Sequence, residues 1–182
     1  MSNPDNPWKT LSTRLAFENP WFAVTVHDTI APDGSRPVYG KISFRNVAVA
    51  VIPVDEEDHT WLVGQWRFPL GHYSWELPMG GSPLDTDPLE SARRELKEET
   101  GLSAAHWERI LKVHTSNSIT DEAGIVYVAR GLTPGEPEFD ETEQLEIRRL
   151  PVDEALAMTL DGRITDVISI AGLLAFDRLR GR

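Results

Sequence analysis

The sequence predicts an α+β fold for the chain of 182 residues, mostly strands with three helices. Three observations predict it. Runs rich in Val, Ile and aromatic residues are bounded by clusters of Pro, Gly and Asp; one helix has its start and stop signals written out; and the closing segment repeats apolar residues at helical spacing.

Residues 21–29 and 38–44 read as strands joined by the turn Ile30-Ala31-Pro32-Asp33-Gly34-Ser35-Arg36-Pro37, so residues 1–45 form a β arm. Residues 46–54, rich in Val, Ala and Ile, suit a buried strand. After the polar turn Asp55-Glu56-Glu57-Asp58, residues 60–67 form another, and the two are expected to pair as a hairpin. Asp87-Pro88-Leu89-Glu90 opens a helix: Asp87 is the N-cap, Pro88 takes the first helical position, and Glu90 completes a box-like cap. The helix runs to Thr100, where Gly101 supplies a left-handed stop. Strands follow at residues 107–114, 124–129 and 145–150, then a short helix over 152–158 and a closing one over 166–179. In that last helix Val167, Ile170, Ala171, Leu174 and Leu179 are expected to cover the sheet.

Composition narrows the function. A formal net charge of −11 argues against a nonspecific grip on nucleic acid, which comes mainly from Lys and Arg neutralising phosphates. With no cysteine, disulfides, thiolate zinc sites and cysteine nucleophiles are excluded. The polar beginning does not read as a secretory signal, and no apolar run approaches the roughly 18 residues of a membrane span. A cytoplasmic location without membrane attachment is the simplest reading. The five histidines form no close ligand pair, and neither a Gly-x-Ser-x-Gly elbow nor a P-loop is present, which disfavours zinc and serine mechanisms.

The helix carries the chemistry. Residues three and four apart share a face, so Glu95 stands beside Glu98 and Glu99, while Leu89, Ala92 and Leu96 form a separate apolar stripe that anchors the helix. Crowded carboxylates repel one another, and a hard divalent cation such as Mg²⁺ relieves that repulsion and gives a phosphate a place to bind. The residue types alone also allow a solvated face, with Glu95, Glu98 and Glu99 paired to Arg93, Arg94 and Lys97.

The wider context favours the first reading. The stretch from Gly80 to Leu102 resembles the Nudix hydrolase signature, with Gly80, Arg94, Glu95, Leu96, Glu98, Glu99, Gly101 and Leu102 matching in register. Thr86 departs from it, standing where the signature has its first glutamate. That glutamate steadies the motif arginine in relatives, so Asp85 or Asp87 is a candidate to pair with Arg94 instead. Gly64-Gln65-Trp66-Arg67-Phe68-Pro69 and Trp75-Glu76-Leu77-Pro78-Met79-Gly80 extend the resemblance toward the branch acting on ADP-ribose and nucleotide sugars.

The resemblance implies a Nudix-type α/β/α sandwich with a mixed sheet over residues 46–182, and a homodimer built through the arm. It also implies that Glu95, Glu98, Glu99 and the backbone carbonyl of Met79 hold Mg²⁺ or Mn²⁺, the Met79 side chain serving only in packing. Glu122, on the loop before residues 124–129, is the counterpart of an acidic residue that acts as general base or further ligand; Glu98 and Glu99 are the alternative bases. Arg67 and Glu76 border the substrate in relatives, the other reading being that they pair with each other. Trp21, with Trp8 and Trp66, is a candidate to stack on a base, or is plain core or interface.

ADP-ribose-specific relatives carry a proline some way after the signature, and residues 114–122 contain none. The resemblance therefore implies a broader small-molecule substrate class, nucleoside diphosphate-linked sugars including ADP-ribose and GDP-mannose. The rival readings are a nucleoside triphosphate or dinucleoside polyphosphate hydrolase, and a noncatalytic nucleotide-sugar sensor in which Thr86 marks a degenerate site.

Overall fold

The computed structural model describes residues 5–139 and 144–181, so the outer limits of the two expected regions, Met1 and Arg182, lie outside the described residues. The chain divides into two compact units: one holds residues 1–46 with 116–122, the other residues 47–115 with 123–182.

The first unit contains an antiparallel three-stranded sheet in the order β1 (Lys9–Glu18), β2 (Phe22–Ile30), β3 (Val38–Phe44). The expected turn joins β2 to β3, with Gly34 at φ 84° and its amide donating to the Ala31 carbonyl at 2.9 Å. Strand β1 was not expected. Every residue of it is exposed, so it lacks the alternation that marks a half-buried strand, and two register shifts interrupt its pairing with β2.

The second unit is a sandwich. Strand β4 (Asn46–Pro53) lies inside a four-stranded mixed sheet, order β7 (Met79–Pro83), β4, β9 (Ala123–Thr133), β8 (Ser103–His114), with β4 and β9 parallel and β8 and β9 antiparallel. Strand β5 (His59–Arg67) lies in a separate antiparallel sheet between β10 (Glu146–Pro151) and β6 (His72–Glu76).

The expected β4–β5 hairpin is therefore wrong. The turn after β4, in which Asp55 Oδ1 receives the Glu57 and His59 amides at 3.0 and 2.9 Å, carries the chain from one sheet into the other. Strand β4 has buried residues on both faces and takes neighbours on both edges, as suits a central strand.

Alternation along the central strands builds the layers. Val49 and Val51 of β4, with Ile125, Tyr127 and Ala129 of β9, pack against Ala92 and Leu96 of α1 (Pro88–Thr100). Ala50 and Ile52, with Val126 and Val128, face the opposite cluster, which contains Ala155 and Met158 of α2 (Val152–Leu160) and Ile168, Leu173 and Phe176 of α3 (Val167–Arg180). The expected α/β/α sandwich with a mixed sheet is what this unit forms.

Of the residues expected to cover the sheet, Ile170 of helix α3 packs against the core, but the fully buried face is a different one. Ile168, Gly172, Leu173 and Phe176 are buried, whereas Val167, Leu174 and Leu179 are each more than 40% exposed. Gly172 decides the phase: a Cβ there would lie 3.0 Å from Val126 Cγ1, so the helix approaches the sheet closely along that line. No helix among the described residues is long and apolar enough to cross a membrane.

Candidate active site

Helix α1 starts and stops where its sequence dictates. Asp87 Oδ1 accepts the Leu89 amide at 3.0 Å, Pro88 follows, and Gly101 at φ 73° returns its amide to the Lys97 carbonyl at 2.8 Å. Ala92 and Leu96 are fully buried and Leu89 packs beside them, so the expected apolar stripe fixes the helix against the sheet.

That fixed rotation sends two carboxylates inward against β7. Glu95 is 9% exposed and Glu99 3%. The Met79 amide donates to Glu99 Oε2 at 2.9 Å. Gly80 makes room for Glu95, since a Cβ on Gly80 would stand 2.1 Å from the Glu95 carboxyl carbon. Its φ is not in the left-handed region, so this glycine answers to space and not to backbone conformation.

Glu98 is more open, and Arg94 joins it to Glu95, with Nη1 2.7 Å from Glu98 Oε2 and Nη2 2.6 Å from Glu95 Oε1. Arg94 also donates to the Gly81 carbonyl at 3.3 Å. Burial pulls the Arg94 pKa down, but Glu95 and Glu98 outweigh that and leave it raised. The expected pairing of Arg94 with Asp85 or Asp87 is not what these bonds show. Asp87 caps the helix, and the neighbouring signature glutamates hold the arginine. The plain surface pairing expected for Lys97 goes to Glu138, at 2.7 Å, and Arg93 lies over the Trp107 ring.

Among the described residues, no three Asp, Glu or His side chains are gathered to enclose a cation as they stand. The bonds above give the reason: Arg94 draws Glu95 and Glu98 toward itself, and Glu99 faces the Met79 amide. The donor chemistry nevertheless fits a hard divalent ion. Two buried carboxylates meet the backbone at Met79 and Gly80, a third stands one turn away, and all of these donors are oxygens. The Met79 side chain packs against the core, as expected.

Arg67 and Glu76 are brought together. Arg67 Nε donates to both carboxylate oxygens of Glu76, at 3.0 and 3.2 Å, and Nη2 donates to Oε2, while Glu76 is 3% exposed. The bond to Glu76 raises the Arg67 pKa, burial opposes it, and the charges of Glu99 and Asp166 raise it further, which sets this pair in the field of the Glu99 carboxylate. Arg67 keeps about a third of its side chain exposed, enough to present donors outward.

Trp21 and Glu122 belong to the other unit. Trp21 is 64% exposed between β1 and β2, its amide donating to Asn19 Oδ1 at 2.9 Å. Glu122 is half-buried, and its amide donates to Thr120 Oγ1 at 3.3 Å. Sequence reasoning missed the steric role of Gly80 and the association of residues 116–122 with the arm. The first was open to inference from a glycine placed at a fixed distance ahead of the helix that carries the carboxylates; the second had no local signal.

Residues 44–168 match the NUDIX domain, and residues 8–42 match the nucleoside diphosphate sugar hydrolase N-terminal domain. An ADP-ribose pyrophosphatase of Mycobacterium tuberculosis is 32% identical over 174 residues, covering 94% of this chain and 84% of that protein. A methanol dehydrogenase activator of Bacillus methanolicus is 34% identical over 160 residues, covering 87% of this chain and 86% of the relative. A solved structure of an ADP compounds hydrolase superposes with a TM-score of 0.86 at 24% identity, covering 99% of this chain and 98% of that one, which shows the shared fold.

Proposed function

The chain belongs to the Nudix family, and from that premise we propose that it hydrolyses the diphosphate of nucleoside diphosphate-linked sugars, ADP-ribose and hexose derivatives such as GDP-mannose, to a nucleoside monophosphate and a sugar phosphate. The observation that carries the reading is the pair of inward carboxylates, Glu95 laid over Gly80 and Glu99 bonded to the Met79 amide.

Glu95, Glu98, Glu99 and the Met79 carbonyl would hold Mg²⁺ or Mn²⁺, with Glu122 assisting as general base or as a further ligand. When bound, such an ion offsets the diphosphate charge and lowers the pKa of a water. As the base, Glu122 would take the proton from the attacking water, with Glu98 and Glu99 as the alternative bases. The water oxygen forms a bond to one phosphorus and the bond from that phosphorus to the bridging oxygen breaks, the bridging oxygen leaving with the other phosphate. Arg67 gives N–H donors to a phosphate oxygen while Glu76 keeps the guanidinium in place. Arg94 orients Glu95 and Glu98 and does not touch the substrate.

Trp21 stacks on the base in this reading. A homodimer built through the arm belongs to the same proposal, supported by Leu11, Leu15 and Phe17 of β1, each more than half exposed. So does a cytoplasmic location.

The test is release of products from ADP-ribose, GDP-mannose, UDP-glucose, dinucleoside polyphosphates and nucleoside triphosphates, with Mg²⁺ and after chelation, alongside Glu99→Gln. Mg²⁺-dependent cleavage, fastest on sugar diphosphates and lost in Glu99→Gln, is the expected result. Faster turnover of triphosphates or dinucleoside polyphosphates would replace the substrate class, and ligand binding without turnover of any compound would overturn the enzymatic reading.

A further inference from the structure

The stretch from Glu76 to Met79, where β6 passes into β7, is held by four other elements of the second unit. Glu76 receives Arg67 of β5, and the Pro78 carbonyl accepts the Val51 amide of β4 at 2.9 Å. The Met79 amide donates to Glu99 of α1. Helix α3 supplies the remaining tie: the Leu77 amide donates to Ser169 Oγ at 2.9 Å, and both residues are fully buried.

Ser169 meets this stretch because the start of α3 is fixed. Asp166 caps the helix, its Oδ2 accepting the Ser169 amide at 2.7 Å, and Ser169 lies in the first turn. Further along the same helix, Gly172 allows a close approach, since a Cβ there would stand 3.4 Å from Leu77 Cδ1.

A buried amide that loses its acceptor is left desolvated without a bond, so the chain around it shifts toward another partner. At Leu77 such a shift has a direct route. Pro78 fixes its own φ and confines Leu77 to extended backbone, so movement at Leu77 passes to Met79 with little taken up between them. Met79 is where this backbone meets Glu99, and Gly80, the next residue, is where it meets Glu95.

We infer that Ser169 is a positioning residue for the backbone at Met79, acting through the Leu77 amide and the stiff Pro78. This rests on the reading of the Met79 carbonyl and the α1 carboxylates as ligands of a divalent ion. Ser169 touches neither ion nor substrate; it sets where a backbone ligand stands, so its loss is felt first as weaker ion binding.

The experiment measures Mn²⁺ binding to the full chain by electron paramagnetic resonance without substrate, and hydrogen exchange at the Leu77 and Met79 amides. Ser169→Ala is expected to weaken Mn²⁺ binding about tenfold, the scale of losing a group that supports a metal ligand, and to speed exchange at both amides. Ser169→Cys, whose sulfur is a weaker acceptor, falls between Ser169→Ala and wild type. Phe176→Leu, buried two turns further along α3, is the control for lost packing alone and leaves Mn²⁺ binding within about twofold. If wild type binds no Mn²⁺, or Glu99→Gln binds it as tightly, the reading of the carboxylates as ligands falls and this inference falls with it. If Glu99→Gln weakens binding while Ser169→Ala leaves it unchanged, or Phe176→Leu weakens it as much as Ser169→Ala, Ser169 is plain core and the inference alone is overturned.

Discussion

Where α1 meets β7 two carboxylates are buried, and in β1 of the arm three large apolar side chains are exposed. Glu95 and Glu99 are at most 9% exposed, whereas Leu11, Leu15 and Phe17 are each above 50%. A buried carboxylate is tolerated only where neighbours hold it, so the first region is tightly specified: a backbone amide for Glu99, an arginine for Glu95, and an absent side chain at Gly80. An exposed apolar row asks for nothing from its own unit and gains only when another surface covers it. The first region is held by bonds within its own unit, whereas the second leaves these apolar groups exposed.

The largest effect follows from the smallest residue. Gly80→Ala places a carbon 2.1 Å from the Glu95 carboxyl and forces that side chain away from β7. We expect about a 10- to 100-fold loss of activity with a higher Mg²⁺ requirement, the size seen when the support of a metal ligand is removed. Titrating Mg²⁺ in activity assays of the folded variant checks it. Wild-type activity at wild-type Mg²⁺ would show that Glu95 does not need its place over Gly80.

The next effect separates structure from chemistry at Arg67. Arg67→Met leaves the Glu76 carboxylate, 4% exposed at its side chain, without its bidentate partner. The expected destabilisation is about 2 kcal/mol, below the range for fully buried pairs because Arg67 itself is a third exposed. The double change Arg67→Met with Glu76→Leu should regain most of that stability in urea unfolding, because a well-packed apolar pair replaces a buried ionic one at little net loss. Activity should stay low in both. Recovery of activity together with stability would reduce Arg67 to a structural role.

How far each region was legible in the sequence follows the same division. Helix α1 was readable to its caps because Asp87, Pro88 and Gly101 act on their own neighbours, and the 3.6-residue period put Leu89, Ala92 and Leu96 on the anchoring face. Pairing between distant strands leaves no local mark, so β4 was seen as a strand and given the wrong partner. Apolar spacing in α3 pointed to Val167 and Leu174, but packing chose the line through Gly172 and Phe176, where a missing side chain admits the sheet. Strand β7, Met79-Gly80-Gly81-Ser82-Pro83, has a composition that normally marks a turn, so the strand that meets both carboxylates was invisible. At the site itself the glutamates were legible by position, while the partners of Arg94 depended on side-chain geometry.

The smallest effect belongs to the arm. Leu15→Ser exchanges a side chain that is 54% exposed and lies in the strand on the edge of its sheet, so within one chain little packing is lost. Unfolding in dilute solution should move by no more than about 0.5 kcal/mol, as for surface substitutions generally. If a second copy covers this row, the same change removes apolar area from that contact alone, and sedimentation at rising protein concentration should show weaker self-association while dilute stability holds. A marked loss of stability in dilute solution would mean that Leu15 is already covered within its own chain. Unchanged self-association would mean that the row on β1 is not where two copies meet, and the arm would then need another partner to explain why its apolar side chains face outward.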